Sequence, residues 1–300
     1  MRMYEDKPIY YDNWDIDIFY TEKSWDVTQL SRMEWTEIGP VCATLELERK
    51  ISNSTVKQKI NFYAQSRRID FETTVDWKEN QHLLKVHFPV NIHTDEATFD
   101  IQFGSVTRKT HTNTGWDEAR FESCGQKWVD LSEGHYGVGL LNDCKYGHSV
   151  KDSDIGLTLI KSGIEPNPVT DQEVHVFTYS LYPHKGGWRN GGTVSQSYFL
   201  NQQMYIRAGA AESEIFSLVS TDAPNAVIET IKQAEDGDGV IVRLYECDNS
   251  LTNVQLKWNR PFSTVYECNL LEEKTSEVLV ENEAINFTIK PYEIKTFRIK

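Results

Sequence analysis

The sequence is short of several things at once, and each shortage removes a class of protein. No run of apolar residues approaches the ~18 that a membrane-spanning helix needs. The opening Met1-Arg2-Met3-Tyr4-Glu5-Asp6 has no apolar stretch of signal-peptide type, so neither a membrane nor a secretory route is expected. Basic residues are outnumbered, 31 Lys and Arg against 45 Asp and Glu, and the net charge of −14 has the wrong sign for holding a phosphate backbone. Nucleic acid is therefore not an expected partner. Five scattered cysteines (Cys42, Cys124, Cys144, Cys247, Cys268) form no C-x-x-C pair, which argues against both a disulfide framework and a zinc knuckle and places reduced thiols in the cytoplasm.

Catalytic signatures are equally scarce. There is no G-x-S-x-G elbow and no H-E-x-x-H among the eight histidines, and His82, His87 and His93, at spacings of five and six, do not share one strand face. Cys144 has a lysine neighbour, but adjacent strand residues point to opposite faces, so an activated thiol is not expected. The glycine-rich stretch Lys185 to Gly192 lacks phosphate-loop spacing and reads as a surface loop. Asp236-Gly237-Asp238-Gly239 lacks the later acidic ligands of a calcium loop and reads as a hairpin turn ahead of Val240. Helical periodicity is nearly absent; the one candidate is a short stretch around Ser213 to Ser217.

What the chain has is period-2 alternation. In Ile69-Asp70-Phe71-Glu72-Thr73-Thr74-Val75-Asp76-Trp77 the apolar residues share one face and the carboxylates the other, the pattern of a half-buried strand. The same pattern recurs from Val41 to Leu47, at Val240/Val242/Leu244 and at Ile285/Phe287/Ile289. Many strands without intervening helices cannot make parallel crossovers, so antiparallel sheets stacked as sandwiches are predicted. The polar, Pro-containing stretch at Ser220 to Asn225 suggests a large domain over 1–220 and a small sandwich over 221–300.

Two segments crowd aromatic, amide and charged groups of the kind that meet sugar faces and hydroxyls. One is Asn113 to Glu122, with Trp116, Asp117 and Arg120; the other is Leu141 to Gly147, with Asn142, Asp143, Lys145 and Tyr146. These seven residues are the candidates for substrate binding or for a domain interface. Trp128 and Trp188, also near predicted loops, extend the aromatic set.

Together with Asn13 to Asp17, Arg68 to Trp77, Leu84 to Pro89, Lys127 to Ser132 and Tyr179 to His184, taken in order, these segments resemble the C-terminal half of the family 38 α-mannosidases. The tail, Asp222 to Asn225 and Glu235 to Glu246, is similar to that family's terminal β-sandwich. The resemblance implies an all-β fold, a large galactose-mutarotase-like β-supersandwich followed by a smaller antiparallel β-sandwich. It also implies a fragment of a retaining α-mannosidase. The family's divalent metal, usually zinc, its Asp nucleophile and its acid/base carboxylate belong to an N-terminal catalytic domain outside these residues, so no catalytic or metal position is carried over and no cofactor is expected in this chain. The implied partners are mannosides and that catalytic domain. Apolar surface left uncovered would also allow a homo-oligomer. The chain departs from the commoner pattern at Glu118, where an aromatic is frequent, and at Ser123-Cys124-Gly125. A stand-alone carbohydrate-binding module and a sugar mutarotase or epimerase are the competing readings.

Overall fold

A computed structural model describes residues 1–209, 215–281 and 284–300. In chain order the strands of the larger part are β1 (Arg2–Glu5), β2 (Ser24–Asp26), β3 (Leu30–Ile38), β4 (Cys42–Ile51), β5 (Ser54–Tyr63), β6 (Ile69–Asp76), β7 (His82–Pro89), β8 (Glu96–Ile101), β9 (Gly104–Lys109), β10 (Ser123–Cys124), β11 (Trp128–Ser132), β12 (Tyr136–Asn142), β13 (Gly147–Lys151), β14 (Asp154–Ser162) and β15 (Val174–Lys185). After them come β16 (Val219–Thr221), β17 (Ala226–Gln233), β18 (Val240–Glu246), β19 (Thr252–Trp258), β20 (Val265–Cys268), β21 (Lys274–Glu277), β22 (Val280–Glu281), β23 (Ala284–Ile289) and β24 (Ile294–Ile299). Helical structure is confined to a 3-10 turn at Ile18–Glu22 and to α1 (Gly115–Glu118), α2 (Trp188–Gly191) and α3 (Thr193–Asn201) among the described residues.

Residues 1–101 with 106–203 form one compact unit, and 102–105 with 204–300 form the other. The stretch 204–220, which the sequence assigns to the large domain, groups with the small unit because Leu218 and Val219 pack into its core. The larger unit holds two antiparallel sheets, ordered β10-β13-β14-β7-β1-β2 and β3-β4-β5-β6-β15-β12-β11-β8-β9. Between them lies an apolar layer that includes Val56, Val75, Trp77, Leu84, Val86, Leu140, Leu157 and Phe177. The all-β, antiparallel expectation holds. In β6 and the residue after it the alternation works as predicted on the apolar side, with Val75 and Trp77 buried and Phe71 stacked on Tyr179 at 5.0 Å. On the other face it fails at Asp70, which is buried instead of solvated.

The reason is a second layer on that face. The glycine-rich stretch is not a plain surface loop: it carries α2, whose buried Trp188 packs on the equally buried Trp128 at 5.1 Å, and leads into α3. Neither indole is available to a sugar. The sequence hides α3 because Thr193, Val194 and two serines are poor helix formers; packing against β11 and β12 supplies what propensity lacks. Gly137 on β12 lies so near His184 that a Cβ would come within 2.3 Å of the imidazole, so only glycine permits this approach. The helix suggested around Ser213 to Ser217 has its first two residues outside the described residues, and Ile215 to Ser217 have no helical structure.

The smaller unit pairs a sheet ordered β16-β19-β23-β22 with one ordered β17-β18-β24-β20-β21. Its core includes Val242, Leu244, Leu256, Ile285 and Phe297. Asp236 to Gly239 makes the predicted hairpin between β17 and β18, with Gly237 and Gly239 at φ +78° and +104°. Leu140 is fully buried between the sheets of the larger unit. We expect Leu140→Ala to lower its unfolding free energy by ~2–5 kcal/mol, measured by urea denaturation.

Candidate functional site

The open face of the nine-stranded sheet carries a groove of about 700 Å³, lined by β4, β5, β6 and β15 and by the end of α3. Its walls bear mixed charge: Arg32, Lys57 and Lys59 alternate with Glu46, Glu48 and Glu72. Beneath them sits Asp70. Arg68 donates to both of its oxygens, from Nε at 2.7 Å and Nη2 at 3.0 Å, while Ser180 Oγ donates at 2.6 Å and Tyr63 Oη at 2.9 Å. Four donors satisfy the carboxylate that burial would otherwise penalise. Burial and the neighbouring Asp70 charge push the Tyr63 phenol well above its usual range. Arg68 also donates to the Gln196 carbonyl at 3.3 Å, which ties α3 to the sheet.

Asn142 and Asp143, at the end of β12, are committed to the backbone. The buried Asn142 donates from Nδ2 to the Gln126 carbonyl at 2.8 Å and accepts from the Lys145 amide at 2.7 Å, closing the turn. Asp143 accepts from the Thr178 amide at 2.9 Å and lies at the rim of the groove. Lys145 Nζ rests over the Phe177 ring, 4.5 Å from its centroid, and Tyr146 is exposed. Cys144 beside them is pushed up to about 11, chiefly by burial, which keeps it a thiol.

The other predicted segment folds as α1. Thr114 caps it reciprocally, accepting from the Asp117 amide at 3.2 Å and donating to the Asp117 carboxylate at 2.7 Å. The Thr114 hydroxyl, with His111 and Arg120 nearby, holds the Asp117 carboxyl below its usual range. Asp117 and Arg120 pair with each other, so the helix presents Trp116 to solvent. Pairing of β10 with β13 brings the two segments side by side, with the Gly125 amide donating to the Tyr146 carbonyl at 3.0 Å. No hydrogen bond or ion pair joins Trp116, Asp117 or Arg120 to Asn142, Asp143, Lys145 or Tyr146 among the described residues.

Sequence patterning missed two buried polar clusters. On β7, Leu84 and Val86 face the inter-sheet layer, and Leu83, Lys85 and His87 face the other way. Lys85 is wholly buried there against the Glu122 carboxylate, which also accepts from Tyr20 Oη at 2.7 Å. Burial lowers the Lys85 ammonium to about 7, and the charge of Asp154 opposes that. Beside it, His87 bridges Tyr4 Oη at 2.8 Å and Asp154 at 2.7 Å. The signal in the sequence is a lysine on the same strand face as Leu83. The second cluster joins His184, Thr193 and Ser132 to the buried Asp130, with His184 Nε2 and Thr193 Oγ1 at 2.8 and 2.9 Å from one carboxylate oxygen. Asp171, Glu173 and His175 are the one metal-capable trio among the described residues. Two of them are exposed, and His175 Nε2 is engaged by the Asp171 carbonyl at 2.8 Å. They lie at the surface where the turn at Asp171 leads into β15 and do not form the enclosed donor set of a catalytic ion.

His148, fully buried beside Tyr146, is lowered to about 3 by burial. The unfolded chain therefore binds a proton from about pH 6.5 downward that the folded chain refuses until about 3, so stability falls as pH drops through that window. His148→Gln should flatten the acid limb of the stability curve by about one proton, measured by denaturation at several pH values. For the ion pair, Glu122→Gln should cost ~3–5 kcal/mol by leaving a buried ammonium unpaired, and adding Lys85→Met should restore part of it in a double-mutant cycle.

The profile described as "Glycosyl hydrolases family 38 C-terminal domain" matches residues 1–169, and that of the "Glycosyl hydrolases family 38 C-terminal beta sandwich domain" matches 225–297. Alpha-mannosidase G of Dictyostelium discoideum is 38% identical over 99% of this chain, and Alpha-mannosidase 2C1 of Homo sapiens is 33% identical over 97%. The chain spans only 28% and 29% of those relatives. The crystal structure of an alpha-mannosidase from Enterococcus faecalis V583 superposes over the whole chain with a TM-score of 0.80 at 17% identity, the chain covering 38% of it, and so shares the fold. The chain belongs to glycosyl hydrolase family 38, of which it forms the C-terminal, β-sandwich portion.

Proposed function

We propose that this chain is the non-catalytic scaffold of a retaining, divalent-metal-dependent α-mannosidase that hydrolyses mannose oligosaccharides. On this reading the nucleophile, the acid/base carboxylate and the metal ligands sit in a catalytic portion that acts together with it. The observation that carries the reading is the ordered match of two family 38 C-terminal profiles in a chain spanning under a third of its relatives' length. The internal chemistry supports it. Retaining glycosidases need two carboxyls about 5–5.5 Å apart with one free to attack. Here the carboxylates of the buried Asp70 and Asp130 and of the half-buried Glu122 are each occupied by partners that hold the fold.

Within the scaffold, the Asn142 to Tyr146 turn is the part proposed to face substrate, since it is rigid, carries the exposed Tyr146 and opens onto the charged groove. The two stacked antiparallel sheets of the larger unit support reading it as a galactose-mutarotase-like supersandwich. A cytoplasmic setting fits the five unpaired cysteines.

Incubated alone with an aryl α-mannoside and zinc or cobalt, the chain should give no turnover. The complete family 38 enzyme carrying it should hydrolyse the same compound and lose activity to a chelator. Turnover by the isolated chain that a chelator abolishes would overturn the proposal, as would an inert complete enzyme.

A further inference from the structure

The six-stranded sheet of the larger unit is closed on its second face by loops instead of by another sheet. Tyr20 packs on Tyr4 and Leu83, with Ile16 and Phe121 against them, so the segments around the 3-10 turn and just after α1 lie together over β1 and β7. Their backbones are fastened. Asp12 Oδ1 accepts from the Ile164 and Glu165 amides at 2.8 and 2.7 Å, and Asn13 accepts from the Asn167 amide at 2.8 Å.

A covering layer of this kind ordinarily turns apolar groups inward and polar groups to water. This one also turns large apolar side chains outward, with Asp17, Glu22 and Lys23 around Phe19. Ile9, Tyr10, Tyr11, Trp14, Phe19 and Trp116 are 74, 72, 52, 75, 59 and 82% exposed, and Tyr11 stacks on Trp14 at 5.4 Å. Such an accumulation of large apolar side chains marks an interaction surface. The groove on the nine-stranded sheet differs, since its charged walls are compatible with water.

We infer that the layer formed by residues 9–19 and 115–120 is the surface on which the catalytic portion of the mannosidase docks; this rests on the function proposed above. Two observations favour that occupant. Each curated relative described above carries more than twice this chain's length in polypeptide that is not represented here, so a large body is available to cover the patch. The backbone is already ordered by Asp12 and Asn13, so docking would lose little entropy of loop ordering. Exposed Asp15, Glu22 and Glu118 stand among exposed Lys7, Lys23 and Arg120, so the opposing face should pair charges of both signs around an apolar centre. Of the two roles open to Trp116, Asp117 and Arg120, this selects the interface: Asp117 and Arg120 are positioning residues that hold the turn displaying Trp116.

Hydroxyl-radical footprinting read by mass spectrometry tests this on the isolated chain and on the complete enzyme in parallel. Oxidation of Tyr11, Trp14, Phe19 and Trp116 should be at least tenfold slower in the complete enzyme. Equal rates in an enzyme that hydrolyses α-mannosides would overturn the inference while leaving the proposed function standing; an inactive complete enzyme would sink the function itself. Concentration-dependent protection in the isolated chain would assign the patch to a second copy, and protection by mannose oligosaccharide would assign it to sugar; either overturns the inference. As a second measure, Trp14→Ser and Phe19→Ser together should leave the isolated chain's melting temperature unchanged yet speed proteolytic separation of the two portions in the complete enzyme. Unchanged proteolysis would count against it.

Discussion

The apolar layer between the six- and nine-stranded sheets is what everything else in the larger unit leans on. Val75, Trp77, Leu84, Leu140 and Leu157 meet there from both sides, and the pleat then dictates that every second residue of the same strands points the other way. Those outward faces are not left to water. Helices α2 and α3 close part of one, and the loops around Tyr20 and Phe121 close part of the other. Strands buried on both faces cannot carry an unpaired charge. The polar residues caught there therefore come with partners: Asp70 with Arg68, Asp130 with His184 and Thr193, and Lys85 with Glu122.

This arrangement gives the segments that carry the family resemblance a common physical role. Asn13 fastens one surface loop to another, Asn142 closes a turn by bonding at both ends of its amide, and Asp117 belongs to a helix cap. Arg68 holds Asp70 bidentately under α3. Each is a polar or charged side chain whose bonding groups are taken up by partners within the fold. They are the fasteners of a scaffold, and the proposal that reactive groups lie elsewhere agrees with how fully these side chains are already occupied.

The two outer surfaces of the larger unit contrast. The groove beside Asp143 is ringed by lysine, arginine and glutamate, groups that water solvates readily. The layer holding Trp14, Phe19 and Trp116 is ordered yet turns large aromatic side chains outward, a combination that a free surface does not need. The same contrast separates the aromatic residues. Trp128 and Trp188 pack on each other inside, whereas Trp14 and Trp116 remain outside, although all four stand next to loop-forming sequence.

What the sequence determined unaided was everything that depends on neighbours in the chain. Strand alternation, the Asp236 to Gly239 hairpin, the antiparallel all-β class and the family itself follow from local patterns of side-chain size, polarity and turn residues. The tertiary structure alone decided which polar residues are buried, because their partners are distant: Asp70 and Ser180 are 110 positions apart, and Lys85 and Glu122 are 37. It alone revealed α3, whose residues disfavour a helix until β11 and β12 provide a surface for it. Period-2 patterning assigns each side chain to one side of a sheet. Whether that side meets solvent depends on what folds back over it, and that information is spread across the whole chain.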